Sequence, residues 1–265
     1  MSIQSQYKGF CQTASIFINN VGLPFTFMED INNSSFSKSI HVPTKMRLGN
    51  RVEQFVFHQL ADNDYKILCQ NLQIIEDGVT LGELDCLHLK DDKITHTEII
   101  YKFYLYDKDV GNSEIDHWIG PNRKDSLIDK LQKLEKKQLP LLNHKSTQKS
   151  LLNLGVKLQG VNQNVMFLAQ LLVPYLNDDV EFIQINKKCV SGKYINYKNL
   201  DLLTKCTFHM PEKVEWLSEP NKDVEWKSFV DFEIKVLPLI RKKRSPLCWV
   251  KSDTEKLSKL FITWW

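Results

Sequence analysis

Apolar and polar positions alternate most cleanly between residues 94 and 106. Thr95, Thr97, Ile99, Tyr101, Phe103 and Leu105 fall on one side, and His96, Glu98, Ile100, Lys102 and Tyr104 on the other. A period of two predicts a β-strand. The run from Leu81 to Leu89 predicts a second strand, and a third is expected over 65–75. Lys90-Asp91-Asp92-Lys93 is polar enough to turn the last two into a hairpin. Residues 47–61 instead place Leu48, Val52, Phe55, Val56 and Leu60 at helical spacing. A second helix is expected after Gly120-Pro121-Asn122-Arg123-Lys124-Asp125, with Leu127, Leu131 and Leu134 as its buried stripe. The order helix, three strands, helix predicts an α/β core on a central mixed, partly antiparallel sheet flanked by helices.

Beyond this core the patterning starts afresh. A lysine-rich, nearly glycine-free stretch ends near Ser150, which divides the chain into a first domain over 1–150 and a C-terminal α+β extension over 151–265. Residues 161–176 are expected to be helical, and 180–186 and 193–197 to be strands. Phe229 to Ile240 should be helical until Pro238 interrupts it. Ahead of the core, short apolar pieces flank an Asn/Ser-rich loop from Asn32 to Ser39.

Composition narrows the picture modestly. With 265 residues and 42% hydrophobic content, the chain is long enough for one large domain or two ordinary ones. Net charge is +3, from 35 basic and 32 acidic residues, so any polyanionic partner must be read from local clusters. The amino terminus carries no basic-then-apolar signal, and no apolar run approaches the roughly 20 residues that span a bilayer. No membrane association is expected, and a cytoplasmic location is the default. Six cysteines without a C-x-x-C pair argue against a zinc knuckle or a disulfide framework and suggest buried thiols.

The chemistry lies in charges on a sheet face that should be half buried: Asp85, Glu98 and Lys102. If Asp91 and Asp92 form a two-residue loop, Lys90 pairs with Lys93 and Asp85 stands opposite Glu98. Their Cβ atoms would then be about 4.5–5.5 Å apart. Carboxylates that close repel unless a cation sits between them, and Mg²⁺ suits one or two carboxylates plus water. A three-residue loop would shift the register by one and separate them. The ordinary alternative is a surface hairpin on which Glu98 and Lys102 form a solvated pair. Glu53, on the first helix, points toward its apolar side. It is either a third acid for the cation or a boundary glutamate paired with Arg51 or with a neighbouring strand.

Other charged residues read either way. Arg123, Lys124 and Lys130, with Lys133, Lys136 and Lys137, would grip phosphates, or form a solvated helix face balanced by Asp125, Asp129 and Glu135. His88 and His96 near the turn are either metal ligands or structural.

The order helix Glu53, strand Asp85, strand Glu98 and following Lys102 resembles the PD-(D/E)XK nuclease superfamily. LGNRVEQFVFHQL (48–60), LGELDCLHL (81–89), EIIYKFYLY (98–106), IGPNRKDSLIDKL (119–131) and KVEWLS (213–218) are together similar to an uncharacterised bacterial family. That family is the "domain of unknown function" family numbered eighteen-fifty-three, grouped with the same superfamily. The resemblance implies a restriction-endonuclease-like core over 1–150. It implies Mg²⁺, or Mn²⁺, held by Asp85 and Glu98 with help from Glu53, and Lys102 as the catalytic lysine. Phosphodiester hydrolysis in DNA, or RNA, would follow, and Gln138 would match a further motif residue of some members. One departure stands out. The superfamily usually puts one residue between its second acid and its lysine, whereas Glu98 and Lys102 have three between them, a Cα separation of about 13 Å rather than about 6.6 Å. A catalytically degenerate nucleic-acid-binding or scaffold protein on the same fold therefore stays open.

Overall fold

The computed structural model describes residues 2–18, 22–28, 31, 42–43, 45–156, 160–176 and 180–265, so the Asn32 to Ser39 loop lies outside the described residues. The chain runs through helix α1 (Ile3–Cys11), strand β1 (Thr26–Phe27) and helix α2 (Leu48–Asp62). Strands β2 (Lys66–Glu76), β3 (Val79–Lys90), β4 (Lys93–Tyr106) and β5 (Trp118–Ile119) follow. Next come helices α3 (Leu127–Lys133) and α4 (Lys145–Asn153), and strands β6 (Val161–Pro174), β7 (Val190–Asn196) and β8 (Thr207–His209). Helix α5 (Phe229–Arg241) and strands β9 (Leu247–Lys251) and β10 (Leu257–Thr263) complete the order. The architecture is mixed α/β, with parallel and antiparallel strand pairs.

The chain forms two compact units, each assembled from separated segments. One comprises Phe17–Tyr101 and Asp129–Leu168; the other comprises Met1–Ile16, Lys102–Ile128 and Ala169–Trp265. Neither coincides with a cut near Ser150, which falls inside α4. Strands β4 and β6 each contribute residues to both units, so contacts group the chain differently from its linear composition.

In the first unit β2, β3 and β4 form an antiparallel meander, and β1 pairs with β6 in parallel. The hairpin register is the two-residue one: Lys90 faces Lys93, and Cys86 faces Thr97. Asp91 and Asp92 have φ of 48° and 59°, so both sit in the left-handed region that a type I′ turn demands. Aspartate tolerates that region because its short side chain can bond locally. Ile74, Leu84, Leu87, Leu141, Leu142 and Leu151 form the core of this unit, while Val52, Phe55, Val56 and Leu60 bury the apolar stripe of α2. Leu127, Leu131 and Leu134 are buried as their spacing predicts.

Strand β6 replaces the helix expected over 161–176. It lies between β4 and β7 in the hydrogen-bonding order, and Val165, Met166 and Phe167 are buried in succession. A strand covered on both faces loses its alternation, and its apolar run then reads as a helix segment.

In the second unit β6 and β7 are parallel, as are β7 and β10, while β10, β9 and β8 are antiparallel. Its core includes Ile195, Leu200, Phe208, Phe232, Val236 and Leu260. The strand expected over 193–197 is β7, but that expected over 180–186 does not form. The Glu114 carboxylate accepts from the N–H groups of Ile183, Gln184 and Ile185 at 3.1, 2.8 and 3.2 Å, taking the donors a sheet partner would use. Helix α5 continues past Pro238 to Arg241. The bond lost to the proline would have reached the carbonyl of Ile234, an exposed residue whose oxygen water can serve. Cys86, Cys189 and Cys248 are buried and all six thiols are free. Among the described residues no helix is long and apolar enough to cross a membrane.

The turn supplies a direct test of the register. Asp92→Gly removes the side chain from a left-handed position and should stabilise the fold by about 0.5–1 kcal/mol in urea unfolding, whereas Asp92→Val should destabilise it by a similar amount or more.

Candidate functional site

The hairpin ladder ends just where its charged residues begin. Cys86 and Thr97 are the last paired positions of β3 and β4, and Asp85 and Glu98 come next in the same register. Here the backbone of β4 turns to a side chain: the Ile99 N–H donates to Asp85 Oδ2 at 2.8 Å. The carboxylate thus takes a donor that a continued ladder would give to a carbonyl, and the two strands part at this point.

Glu98 is fully buried. Gln138 Nε2 donates to its Oε2 at 2.5 Å, and Lys130 Nζ donates to the Oε1 of the same glutamine at 2.6 Å. Gln138 closes a π-helical turn, Leu134–Gln138, that directly follows α3. Such turns widen a helix and are frequent at functional sites. On the other side, His96 Nε2 lies 3.2 Å from Glu98 Oε1, without the alignment of a hydrogen bond. The His96 tautomer follows from its second partner. Gln163 Nε2 contacts both His96 Nδ1, at 2.9 Å, and the Leu139 carbonyl, at 3.0 Å. An amide nitrogen only donates, so Nδ1 accepts and the proton sits on Nε2, facing Glu98.

Glu53 approaches from α2, as its position in the helix suggested. Its partner is Asn71, which donates to Glu53 Oε2 at 2.7 Å and lies 3.3 Å from Glu83 Oε1. Asn71 sits between Gln70, paired with Cys86, and Leu72, paired with Leu84, and so stands across from Asp85. Its φ is 49°, a left-handed residue inside a strand. Conformations of that kind cost roughly 1–3 kcal/mol and persist where surrounding contacts over-determine them. Glu83 was not singled out from sequence, although it precedes Asp85 by two and shares its strand face.

Burial and neighbouring carboxylates raise the proton affinity of Asp85 and Glu53. Burial pushes the Asp85 carboxyl from its ordinary 3.8 up to about 7, with the charge of Glu98 next in weight and Glu53 adding to it; the Ile99 N–H and the Lys130 ammonium oppose. Burial also raises Glu53; its bond from Asn71 opposes this, and the charges of Glu83 and Glu98 add to it. Lys130 is thus a cation that acts on Asp85.

The donor set fits a hard divalent ion. Glu98 Oε1 is buried without an aligned donor, and Asp85 has a raised proton affinity that a bound cation would offset. Among the described residues no three His, Cys, Asp or Glu side chains form a cage. Mg²⁺ does not need one, because it keeps several waters and takes one or two carboxylates.

The remaining sequence candidates have other partners. Lys102 Nζ donates to Asp125 Oδ2 at 2.6 Å. Asp125 is the last residue of the Gly-Pro-Asn-Arg-Lys-Asp turn, where its carbonyl accepts from Gly120 N at 2.7 Å. A Cβ on Gly120 would lie 2.0 Å from Asp125 Oδ1, so only glycine fits there. Arg123 donates to Asp107 Oδ2 at 2.7 Å, and its guanidinium lies 4.6 Å from the Trp265 ring centre. Lys124 is exposed. Of the six phosphate-binding candidates, Lys130, Lys133, Lys136 and Lys137 belong to the same compact unit as the carboxylates, and Lys130 bonds to the Gln138 that reaches Glu98. His88 is structural: Thr97 donates to Asn164 Oδ1 at 2.6 Å and so accepts from His88 Nε2 at 2.8 Å. Burial, then His96, lowers the His88 pKa to about 4, which keeps the ring neutral.

A family model described as Domain of unknown function (DUF1853) matches residues 22–261. No curated protein and no solved structure matches the chain.

Between the ordinary pKa of Asp85, 3.8, and its folded value of about 7, the folded chain binds more protons than the unfolded chain. Stability from this group is therefore full below the lower value and is lost as pH rises through the higher one. Without divalent ions, Asp85→Asn should be more stable than the wild type at pH 8 by about 1–3 kcal/mol and should flatten the decline between pH 4 and 8, read from urea midpoints in EDTA.

Proposed function

Because the chain belongs to the Domain of unknown function (DUF1853) family, whose description assigns no chemistry, we propose a function from the site itself: Mg²⁺-dependent hydrolysis of phosphodiester bonds in DNA or RNA. The observation that carries this reading is the half-buried Asp85 beside the buried Glu98, with Asp85 pushed up to about 7 by burial and by its neighbour. Structural carboxylates are usually paired with cations, whereas acids gathered against one another suit an ion and a phosphate.

Asp85 and Glu98 would hold the metal, with Glu53 reaching it through water. Bound Mg²⁺, or Mn²⁺ in its place, would lower the pKa of a water and neutralise charge on the scissile phosphate. The chain's own groups do the positioning. Gln138 holds Glu98 through Oε2, His96 lies beside its Oε1, and Ile99 fixes Asp85. Lys130, tied to Gln138, would meet the phosphate or orient the attacking water. This transfers to a helix the role that the PD-(D/E)XK resemblance assigns to Lys102, whose ammonium is engaged by Asp125. That same engagement favours the second reading, a nucleic-acid-binding or scaffold protein that keeps the fold without hydrolysis.

Cleavage of single- and double-stranded DNA and of RNA with Mg²⁺ or Mn²⁺ separates the two. Asp85→Ala and Glu98→Gln should lose at least about a hundredfold in rate and Lys130→Ala about ten- to a hundredfold, while Lys102→Ala stays within about threefold. Mg²⁺ should also raise the Tm of the wild type at pH 8 and leave that of Asp85→Asn unchanged. Equal cleavage by Asp85→Ala sinks the assignment, and salt-sensitive binding without cleavage supports the scaffold.

A further inference from the structure

The outward side of helix α5 departs from the pattern of a surface helix. Phe232 and Val236 face the core of its unit, and a helix that buries one stripe ordinarily turns polar residues to water. On α5 the positions Val230, Ile234 and Leu237 follow one another at the spacing that places side chains on one line, and Arg241 ends that line. Val230 and Ile234 are 64% and 68% exposed and Leu237 is half-buried. Pro238, one turn past Ile234, adds an exposed ring.

Charge along the helix is divided by end rather than by face. Asp231 and Glu233 lie near its start, where they accept from the hydroxyls of Ser228 and Tyr197 at 2.7 and 3.2 Å. Arg241, Lys242, Lys243 and Arg244 are exposed at its finish. Among the described residues none of these four enters an ion pair, and Lys243 lies 5.2 Å from the Trp264 ring centre.

This polarity selects an occupant. An anionic lipid surface laid on the apolar line meets the acids at one end as well as the cations at the other, and a nucleic acid gains nothing from the apolar side chains. A second copy of the chain, run antiparallel, meets each end with its opposite. With Ile234 set against Leu237 of the copy, Arg241 comes level with Val230 and beside Asp231, and two-fold symmetry repeats the contact. One helix face offers well under the roughly 800 Å² per partner of a standard interface, so the association belongs to the weak class, with a Kd of about 10–100 µM.

We propose that α5 is the contact of a two-fold symmetric homodimer, in which Val230, Ile234 and Leu237 pack antiparallel against a second copy and Asp231 of each chain meets Arg241 of the other. The surface lies in the unit that does not hold the carboxylate cluster, and the proposal stands whether or not that cluster hydrolyses phosphodiesters.

The test is sedimentation velocity of the full chain from about 2 to about 300 µM, across which the wild type should pass from monomer to dimer. Ile234→Glu, at an exposed position, should weaken association at least about tenfold. Asp231→Arg and Arg241→Glu should each weaken it at least about fivefold alone, because each sets like charges together twice. An equimolar mixture of the two variants should recover to within about threefold of the wild type, since the mixed dimer restores both opposite pairs. The two positions are about 15 Å apart along one helix, so pairing within a chain cannot produce that recovery. Urea midpoints confirm that each variant is folded. A monomer throughout, a dimer indifferent to Ile234→Glu, no recovery on mixing, or a monomer held instead by phosphatidylserine vesicles or by DNA through Ile234 and Arg241 would overturn the proposal.

Discussion

Glu98 is a carboxylate with no exposed surface, set in register beside a second, half-buried carboxylate, and much of its unit is arranged around the cost of that placement. Burying such a group unpaired costs several kcal/mol or forces it to take a proton. Glu98 meets the cost with Gln138 and the edge of His96, and Asp85 meets it with the Ile99 N–H and a raised proton affinity. Each of these partners is itself held. Lys130 fixes Gln138, and Gln163 fixes the His96 ring through Nδ1.

The cost also appears in the backbone. Around the pair, the β3–β4 ladder stops, Asn71 adopts φ of 49° within a strand, and the chain after α3 widens into a π-helical turn. Each breaks a local rule, and each delivers a polar group: the Ile99 N–H, the Asn71 amide and the Gln138 amide. Departures from regular structure that gather around one set of ionisable groups are expected where function, rather than stability, is served.

Charge alone proved a poor guide to where charge acts. Lys102 was expected as the catalytic lysine and Arg123 as a phosphate contact, yet each forms an ion pair in and around the Gly-Pro-Asn-Arg-Lys-Asp turn. Exposed pairs of this kind are worth only about 0–1 kcal/mol. Their contribution is to conformation: with Gly120 they hold a tight turn whose geometry admits no side chain at the glycine. The distinctiveness of that segment in sequence therefore has a structural cause.

The helix α2, the strands β2 to β4 and the hairpin register were legible in the chain because their periods are local and one face of each is buried. The same count placed Asp85 beside Glu98, since cross-strand position follows from the turn alone. Where both faces are covered, as in β6, the period vanishes; where a distant carboxylate takes the backbone donors, as Glu114 does at 183–185, no local signal warns of it. The partners of the carboxylates are of this second kind. Asn71, Lys130, Gln138 and Gln163 reach the site from separate places in the chain, and their roles depend on packing that brings together residues 8 to 67 positions apart. A register can be counted along a strand, but the proton affinity of Asp85 and the choice of Lys130 over Lys102 as the neighbouring cation arise only once the unit has closed around them.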